Sequence, residues 1–333
     1  MEGGSIFHCC PTWLPHPVAN ITEVSILEAY AGSLSSDVRR EVQSGSFQYC
    51  EAKLCPYLSR YVNLGELRAP IHPRAEVARV NREHSVLQRK RLMVMLNYDP
   101  SCNLRCGSCR NETILFREED APPRLREVHE AVTRNLRELR NAGYEMILNV
   151  TGSGDAFASP LYSRLLRELE YDPRLRLELQ TNGVLMEEAR FTEPMYRMLE
   201  FLAVSVDAAT QPTYERVRRG GNFARLRRNL DWIDDALRAK RFGRDVYYKI
   251  NFIVQRDNFR EMPEFARWML GYESVSEVWF NLIADWGHLP KEEFARKAIW
   301  MPEHPEHGEF RQVMKDPILR SPRVHLGNVS AYL

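Results

Sequence analysis

Three cysteines with the spacing C-x3-C-x2-C lie in the segment Cys102-Asn-Leu-Arg-Cys106-Gly-Ser-Cys109. Three thiolates on one short loop can hold three irons of a cubane cluster, and the fourth iron then lacks a protein ligand and can bind another molecule. A closed zinc site needs a fourth Cys or His nearby, and the next histidine along the chain is His129, within a predicted helix. The spacing therefore favours an iron–sulfur cluster over zinc.

The composition of the whole chain is that of a globular protein. The chain has 333 residues, of which 44% are hydrophobic and 27% charged, which excludes disorder and collagen-like architecture. Its net charge of +1 gives no indication of a nucleic-acid partner or of an anionic membrane surface. We find no run of 18 apolar residues and no basic segment leading an apolar stretch at the start, so we expect neither a membrane span nor a secretory signal. A reducing cytoplasm is then the default location, where cysteines are more often metal ligands or catalysts than disulfides.

Short apolar runs alternate with longer amphipathic segments between residues 90 and 290. Six runs are candidate strands: Leu92–Leu96, Met146–Val150, Leu175–Leu179, Phe201–Val206, Tyr247–Val254 and Val278–Ile283. The segment after the first run carries apolar residues at helical spacing: Leu125, Val128, Val132, Leu136 and Leu139. This alternation predicts an α/β fold with a parallel sheet, and six strands in about 200 residues suggest a partial (β/α)6 TIM-like barrel.

Polar and glycine residues follow these strands directly. They comprise Cys102, Cys106 and Cys109 after the first strand, Gly152, Ser153, Gly154 and Asp155 after the second, Thr181 and Asn182 after the third, Ser205 and Asp207 at the end of the fourth, and Asp285 after the sixth. Because active sites of α/β barrels are built at the carboxyl ends of several strands, we expect one site at this rim.

The cluster loop after a first strand, with these rim motifs in this order, resembles the signature of the radical S-adenosylmethionine (SAM) superfamily. In that family the open iron binds the amino and carboxylate groups of SAM. An electron from the reduced cluster then gives methionine and a 5′-deoxyadenosyl radical, which abstracts hydrogen from the substrate. The resemblance implies that Cys102, Cys106 and Cys109 hold a SAM-binding [4Fe-4S] cluster. It also implies S-adenosyl-L-methionine as cofactor and an external one-electron reductant of the flavodoxin or ferredoxin type.

The resemblance also implies which residues contact SAM. Gly152, Ser153, Gly154 and Asp155 match the motif for the methionine amino group, Ser205 and Asp207 match contacts to the methionine carboxylate or the ribose, and Thr181 and Asn182 match a motif near the same pocket. The sequence departs from the family's usual pattern at two positions. Ser108 stands where an aromatic residue commonly precedes the third cysteine, and Asp155 stands where glutamate is common.

The four remaining cysteines, Cys9, Cys10, Cys50 and Cys55, precede the predicted barrel. They resemble an auxiliary cluster domain of the SPASM/twitch kind, which in relatives usually follows the barrel, and imply an auxiliary [4Fe-4S] cluster. A zinc knuckle or buried free thiols are the alternatives. We therefore expect a small N-terminal Cys-rich auxiliary-cluster domain (1–75), a linker (76–90), the radical SAM partial barrel (91–289) and a C-terminal extension (290–333).

The auxiliary cluster constrains the reaction that the resemblance implies. A fully ligated cluster would accept an electron from the substrate radical and give dehydrogenation, whereas an open iron would bind substrate or release sulfide for sulfur insertion. A cysteine left free would be a hydrogen donor for epimerisation. The reaction is thus of the oxidoreductase or transferase type.

The expected substrate is a small natural-product intermediate such as a sugar, an aminocyclitol or a nucleoside, because residues 1–75 carry cysteines in place of a leader-peptide recognition domain. Candidate substrate contacts are Lys249, Asn251, Asn281, Asp285 and His288, which are polar groups on the late strands or their rim. Three alternatives remain open: modification of a peptide, an iron–sulfur electron carrier, and a zinc-binding module.

Overall fold

The computed structural model describes residues 3–52, 55, 58, 89–150, 153–285 and 287–332. Gly152 of the predicted SAM motif and residues 76–88 of the predicted linker lie outside the described residues. The chain divides into two compact units, one comprising residues 1–93 and 121–146 and the other residues 94–120 and 147–333. Within the described ranges, no helix combines the length and the apolar character that crossing a bilayer requires.

The described residues of the first unit form a small antiparallel pair and three helices. Its elements are β1 (Ser5–Ile6), β2 (Ala19–Asn20), α1 (Ile26–Ala31), α2 (Ser33–Ser44) and α3 (Pro123–Asn141). Ser25 and Glu28 form a reciprocal capping box at the start of α1, which fixes where that helix begins. Inside the unit, the side chain of Asn135 in α3 accepts a hydrogen bond of 2.8 Å from the backbone of Ile26. The predicted apolar face of α3 is buried along its length, from Leu125 to Leu139.

A single seven-stranded sheet carries the predicted strands in chain order. The strands are β3 (Arg91–Leu96), β4 (Glu145–Val150), β5 (Leu175–Thr181), β6 (Leu199–Ser205), β7 (Tyr247–Val254), β8 (Glu277–Leu282) and β9 (Val324–His325). Their spatial order is also β3 to β9, and all pairs from β5 to β9 are parallel. This confirms the α/β class and the partial TIM-like barrel.

The helices of the second unit lie between the strands and after the last long one. They are α4 (Pro160–Glu168), α5 (Glu193–Met198), α6 (Gln211–Val217), α7 (Phe223–Arg238), α8 (Met262–Leu270), α9 (Lys291–Lys297) and α10 (His307–Val313). Short 3-10 helices cover Glu188–Arg190, Phe259–Glu261, Pro317–Arg320 and Gly327–Tyr332. The alternation of strand and helix therefore follows the predicted pattern.

The two faces of β7 differ in chemistry. Tyr248, Ile250, Phe252 and Val254 are completely buried, whereas the intervening Lys249, Asn251 and Ile253 are half-buried. Since side chains alternate across a strand, one face of the sheet is apolar core and the opposite face is mixed and partly accessible. The second face carries the polar side chains of the late strands.

Candidate functional site

The cysteine loop leaves β3 and folds into a tight turn. The backbone of Cys102 donates to Ile114 at 2.7 Å, and both Cys109 and Arg110 donate to the carbonyl of Cys106, at 2.9 and 3.0 Å. Cys102 and Cys106 are buried, with 9% and 6% exposed, whereas Cys109 is exposed. The loop is therefore fixed at both ends by main-chain hydrogen bonds, and one of its three thiols faces solvent.

Hydrogen-bond donors surround the two buried sulfurs. Cys102 Sγ accepts from the backbone of Leu104 at 3.4 Å and from Asn182 Nδ2 at 3.7 Å. Cys106 Sγ accepts from Arg218 Nη1 at 3.6 Å. Donors of this kind stabilise thiolate ligands and adjust the potential of a bound cluster.

Burial controls the charge of these thiols in the iron-free chain. Burial, reinforced by the carboxylate of Asp155, raises the pKa of Cys102 to about 11. Burial also raises the pKa of Cys106 in spite of the adjacent Arg218 charge. Because iron binds the thiolate, taking up a cluster must release these protons.

The loop after β4 lies directly against the backbone that precedes Cys102. A Cβ atom on Gly154 would stand 2.5 Å from the carbonyl oxygen of Ser101 and 2.6 Å from that of Asp99, so no larger residue fits. Arg110 joins the two loops, since its guanidinium donates to the carbonyls of Pro100 and Ser153. The structure therefore brings Ser153 and Gly154 to the cysteine loop.

Asp155 holds the loop after β5. Its buried carboxylate accepts from Thr181 Oγ1 (2.9 Å), from the backbone of Asn182 (2.7 Å), and from the backbone amides of Phe157 (3.0 Å) and Ala158 (3.1 Å). Burial raises the pKa of this carboxyl, although the four donors oppose the shift. A carboxylate has about four acceptor positions, and all four are used within the chain. Asp155 thus positions Thr181 and Asn182, and its predicted contact with an ammonium group stays a prediction.

Asp207 forms a buried ion pair that the sequence did not reveal. Its Oδ2 lies 2.8 Å from Arg218 Nη2, and the two side chains are 1% and 11% exposed. Its Oδ1 accepts from the backbone of Ile253 at 2.7 Å, and its carbonyl accepts from Asn258 Nδ2 at 2.9 Å. These contacts hold Asp207 in the left-handed region at φ 66°, which few non-glycine residues adopt. Ser205, two residues earlier, is half-buried and lies opposite Asn251 in the register of β6 and β7.

Several buried polar atoms in the described part of this unit have no hydrogen-bond partner. They are Asn97 Oδ1, Ser101 Oγ, Asn149 Oδ1, Tyr214 Oη, Arg218 Nε, Trp232 Nε1, Tyr248 Oη, Gln255 Oε1 and His288 Nδ1. Buried polar groups are normally paired, so each of these atoms can accept a partner that the described residues do not supply. Asn97 and Ser101 follow β3, Asn149 lies in β4, and Arg218 donates to Cys106 through its Nη1. Hydrogen-bond acceptors and donors are both present in this set.

Lys249 stands apart from the cysteine loop. Its Nζ lies 3.6 Å from Glu277 Oε1 and 3.9 Å from the centre of the Trp279 ring, and burial lowers its pKa although Glu277 opposes the shift. Glu277 also pairs with His325 Nε2 at 3.1 Å. Lys249 is therefore already engaged in a local cluster near the amino ends of β7 and β8.

The other predicted substrate contacts occupy three different places. Asn251 and Asn281 are half-buried on the mixed face of the sheet, and Asp285 is exposed in a turn where its carboxylate accepts from Gly287 at 2.8 Å. His288 alone approaches the cysteine loop, with Nε2 3.3 Å from the carbonyl oxygen of Gly107, while its buried Nδ1 has no partner among the described residues. The structure thus brings one of the five to the cluster loop.

In the first unit, the four remaining cysteines come close enough to influence one another. Burial raises the pKa of Cys9 and of Cys50, and in both cases the thiol of Cys55 adds to the shift. The segment Cys9–Trp13 meets the segment Cys50–Cys55 where Glu51 donates its backbone N–H to Trp13 at 2.8 Å. Across the residues that the structure describes, no group of three or more His, Cys, Asp or Glu side chains is arranged to hold a metal ion.

Comparison with known protein families gives a match to about half of the chain. The sequence profile of the Radical SAM superfamily matches residues 96–269, which include the cysteine loop and the strands from β4 to β7. No curated protein sequence matches the chain significantly.

Several solved structures are similar at low identity. SuiB of Streptococcus suis bound to S-adenosylmethionine is 14% identical, with 79% of this chain and 54% of that chain covered and a TM-score of 0.44. TsrM of Kitasatospora setae, a radical S-adenosylmethionine methyltransferase, is 15% identical, with 58% and 34% covered and a TM-score of 0.40. A radical SAM methyltransferase of Sphaerobacter thermophilus is 14% identical, with 95% and 98% covered and a TM-score of 0.38. The chain spans about half the length of SuiB.

Proposed function

The chain belongs to the radical SAM superfamily, and we propose that Cys102, Cys106 and Cys109 are the three protein ligands of its SAM-binding [4Fe-4S] cluster. When bound and reduced, the cluster supplies the electron that splits SAM into methionine and a 5′-deoxyadenosyl radical, which abstracts hydrogen from the substrate. The observation that carries this proposal is the C-x3-C-x2-C loop directly after the first strand of the sheet, with hydrogen-bond donors on its two buried sulfurs. An external reductant of the flavodoxin or ferredoxin type would deliver the electron.

The chain's own residues would bind and orient SAM. Gly152, Ser153 and Gly154 would bring backbone carbonyls to the methionine ammonium, with Asp155 and Thr181 fixing the adjacent loops. Asn182 would hold Cys102 in place, and Ser205 with Asp207 would serve the carboxylate or the ribose. The unpartnered buried atoms of Asn97, Ser101, Asn149, Tyr214 and Arg218 support a polar ligand at this place.

The proposed substrate is a small natural-product intermediate, such as a sugar, an aminocyclitol or a nucleoside, bound on the mixed face of the sheet. Its contacts would include Asn251, Asn281 and His288, with Lys249 and Asp285 at the margins. The polar side chains on alternate positions of β7 support this choice, because they offer hydrogen bonds where a purely apolar surface would not.

We further propose that Cys9, Cys10, Cys50 and Cys55 hold an auxiliary [4Fe-4S] cluster within an N-terminal domain of residues 1–75, ahead of a barrel of residues 91–289. The mutual influence of these thiols supports the proposal. A fully ligated auxiliary cluster would accept the electron of the substrate radical and make the reaction a dehydrogenation. One open iron would instead bind substrate or supply sulfur. Two cubanes require about eight irons per chain, and Cys50→Ser/Cys55→Ser should reduce that number to about four.

The decisive experiment is anaerobic incubation of the reconstituted chain with dithionite and SAM. We expect 5′-deoxyadenosine and methionine, and we expect Cys106→Ala to abolish them while the circular dichroism spectrum is retained. Ser108→Ala, on the same loop, is the matched control and should retain cleavage. Iron-loaded wild-type protein that leaves SAM intact would refute the proposal. Deuterium transfer from labelled candidate metabolites into 5′-deoxyadenosine would then identify the substrate.

A further inference from the structure

We propose that Arg218 and Asp207 act as a pair of positioning residues that set the reduction potential of the SAM-binding cluster through Cys106, with opposite effects. The inference rests on the proposed function, because it assumes that Cys106 is a cluster ligand. The two residues act in opposite directions: the guanidinium of Arg218 raises the reduction potential of the cluster, and the carboxylate of Asp207 lowers it.

The geometry places one guanidinium between a carboxylate and a sulfur. Arg218 directs Nη2 to Asp207 Oδ2 at 2.8 Å and Nη1 to Cys106 Sγ at 3.6 Å. Its third nitrogen, Nε, is buried and has no partner among the described residues. The orientation of Arg218 is therefore determined by Asp207 and Cys106 together.

Asp207 is in turn fixed by the backbone. Its second oxygen accepts from Ile253, and its own main chain is held in the left-handed region by Asn258. A carboxylate held in this way cannot follow Arg218 if that side chain moves. The carboxylate therefore has a fixed position from which it orients Arg218 toward Cys106.

Both charges act in surroundings of low polarity. Asp207 is 1% exposed and Arg218 11% exposed, so water screens them weakly. The guanidinium of an arginine is always charged in proteins.

The direction of each effect follows from the charge of the electron. Reduction adds one negative charge, taken from the external reductant, to a cluster bound by three thiolates. A positive charge near Cys106 favours the reduced cluster and a negative charge disfavours it. Since the pair is neutral as a whole, removing either partner exposes the effect of the other.

The test is an anaerobic redox titration of the reconstituted full chain, followed through the EPR signal that changes when SAM is added. Arg218→Gln should lower the midpoint potential and Asp207→Asn should raise it. Each variant should change the ratio of reduced to oxidised cluster at a fixed solution potential by about tenfold, which is 59 mV for a one-electron couple. Arg218→Lys retains the positive charge, so its midpoint potential should lie close to that of the wild type.

Arg216→Gln is the matched control. Its guanidinium is exposed and donates to Thr213 Oγ1 at 3.0 Å and to the carbonyl of Asp257 at 2.9 Å, so the same charge is removed where solvent screens it. The midpoint potential of the cluster in Arg216→Gln should equal that of the wild type.

Shifts of Arg218→Gln and Asp207→Asn in the same direction, or shifts no larger than that of Arg216→Gln, would overturn the inference. If Arg218→Gln assembles no cluster, Asp207→Asn decides alone: a higher potential supports the pair, and an unchanged or lower one refutes it. Wild-type protein without a SAM-responsive signal would refute the proposed function as well. If the wild-type protein gives a SAM-responsive signal but the two variants do not shift the midpoint potential in opposite directions, only this inference is refuted.

Discussion

The side-chain amide of Asn182, at the end of β5, donates to the sulfur of Cys102 at 3.7 Å, and the same amide donates to Asn103 Oδ1 at 2.9 Å. One buried asparagine therefore fixes both a proposed iron ligand and its neighbour. This contact links two loops 80 residues apart in the chain.

Asn182→Ala should therefore weaken retention of the cluster. Loss of a residue that orients a metal ligand typically reduces metal affinity by about 10- to 100-fold. We expect iron to be lost about tenfold faster on challenge with a chelator, as measured by the decay of absorbance near 400 nm. Asn141→Ala, at the exposed end of α3, is the control and should behave as wild type. Equal rates for the two variants would contradict the role assigned to Asn182.

Gly154→Ala should destabilise the chain and impair cluster assembly. The added methyl group would meet two backbone carbonyl oxygens at 2.5 and 2.6 Å, and backbone cannot rotate away as a side chain can. We expect a loss of about 1–3 kcal/mol in the free energy of unfolding, measured by urea denaturation of the iron-free chain. Gly308→Ala, where nothing lies within 4 Å, should leave stability equal or slightly higher. A neutral Gly154→Ala would show that the two loops are not in contact.

The three thiols of the cysteine loop should differ in reactivity before iron is added. Cys109 is exposed, while Cys102 is buried and has its pKa raised to about 11, so little of it is thiolate near neutrality. Because the thiolate is the nucleophile, iodoacetamide at pH 8 should modify Cys109 about 100-fold faster than Cys102. Peptide mapping by mass spectrometry measures both rates. The same reaction in guanidinium chloride should equalise them, and equal rates in the folded chain would contradict the burial described above.

Arg218→Gln and Asp207→Asn should each destabilise the iron-free chain, and the double variant should cost less than their sum. Removing one partner of a buried ion pair leaves the other charge uncompensated, which typically costs about 3–5 kcal/mol, whereas replacing both removes that penalty. Thermal and urea unfolding of the four proteins in the cycle would give the coupling free energy. Strict additivity would mean that the two side chains do not interact in solution.

Sequence patterns located the strands and the cysteine loop because both depend on local order. The apolar runs are contiguous, and the three cysteines lie within eight residues. The partnership of Arg218 with Asp207 could not be found in this way. Arg218 is one of 46 basic residues, and its burial depends on where α6 ends relative to β6. The four hydrogen bonds that the Asp155 carboxylate accepts could not be predicted for the same reason. Two of their donors, Thr181 and Asn182, come from a different part of the chain.

Strand β9 was also missed, since two residues carry no periodicity to recognise. It pairs Val324 and His325 with Val278 and Trp279 of β8, and further along the strand Asn328 Oδ1 accepts the backbone N–H of Leu282 at 2.9 Å. An uncovered edge strand invites pairing with another copy of the same chain. Residues 324–328 thus occupy backbone positions on the edge of β8 that would otherwise be open to a strand of a second copy.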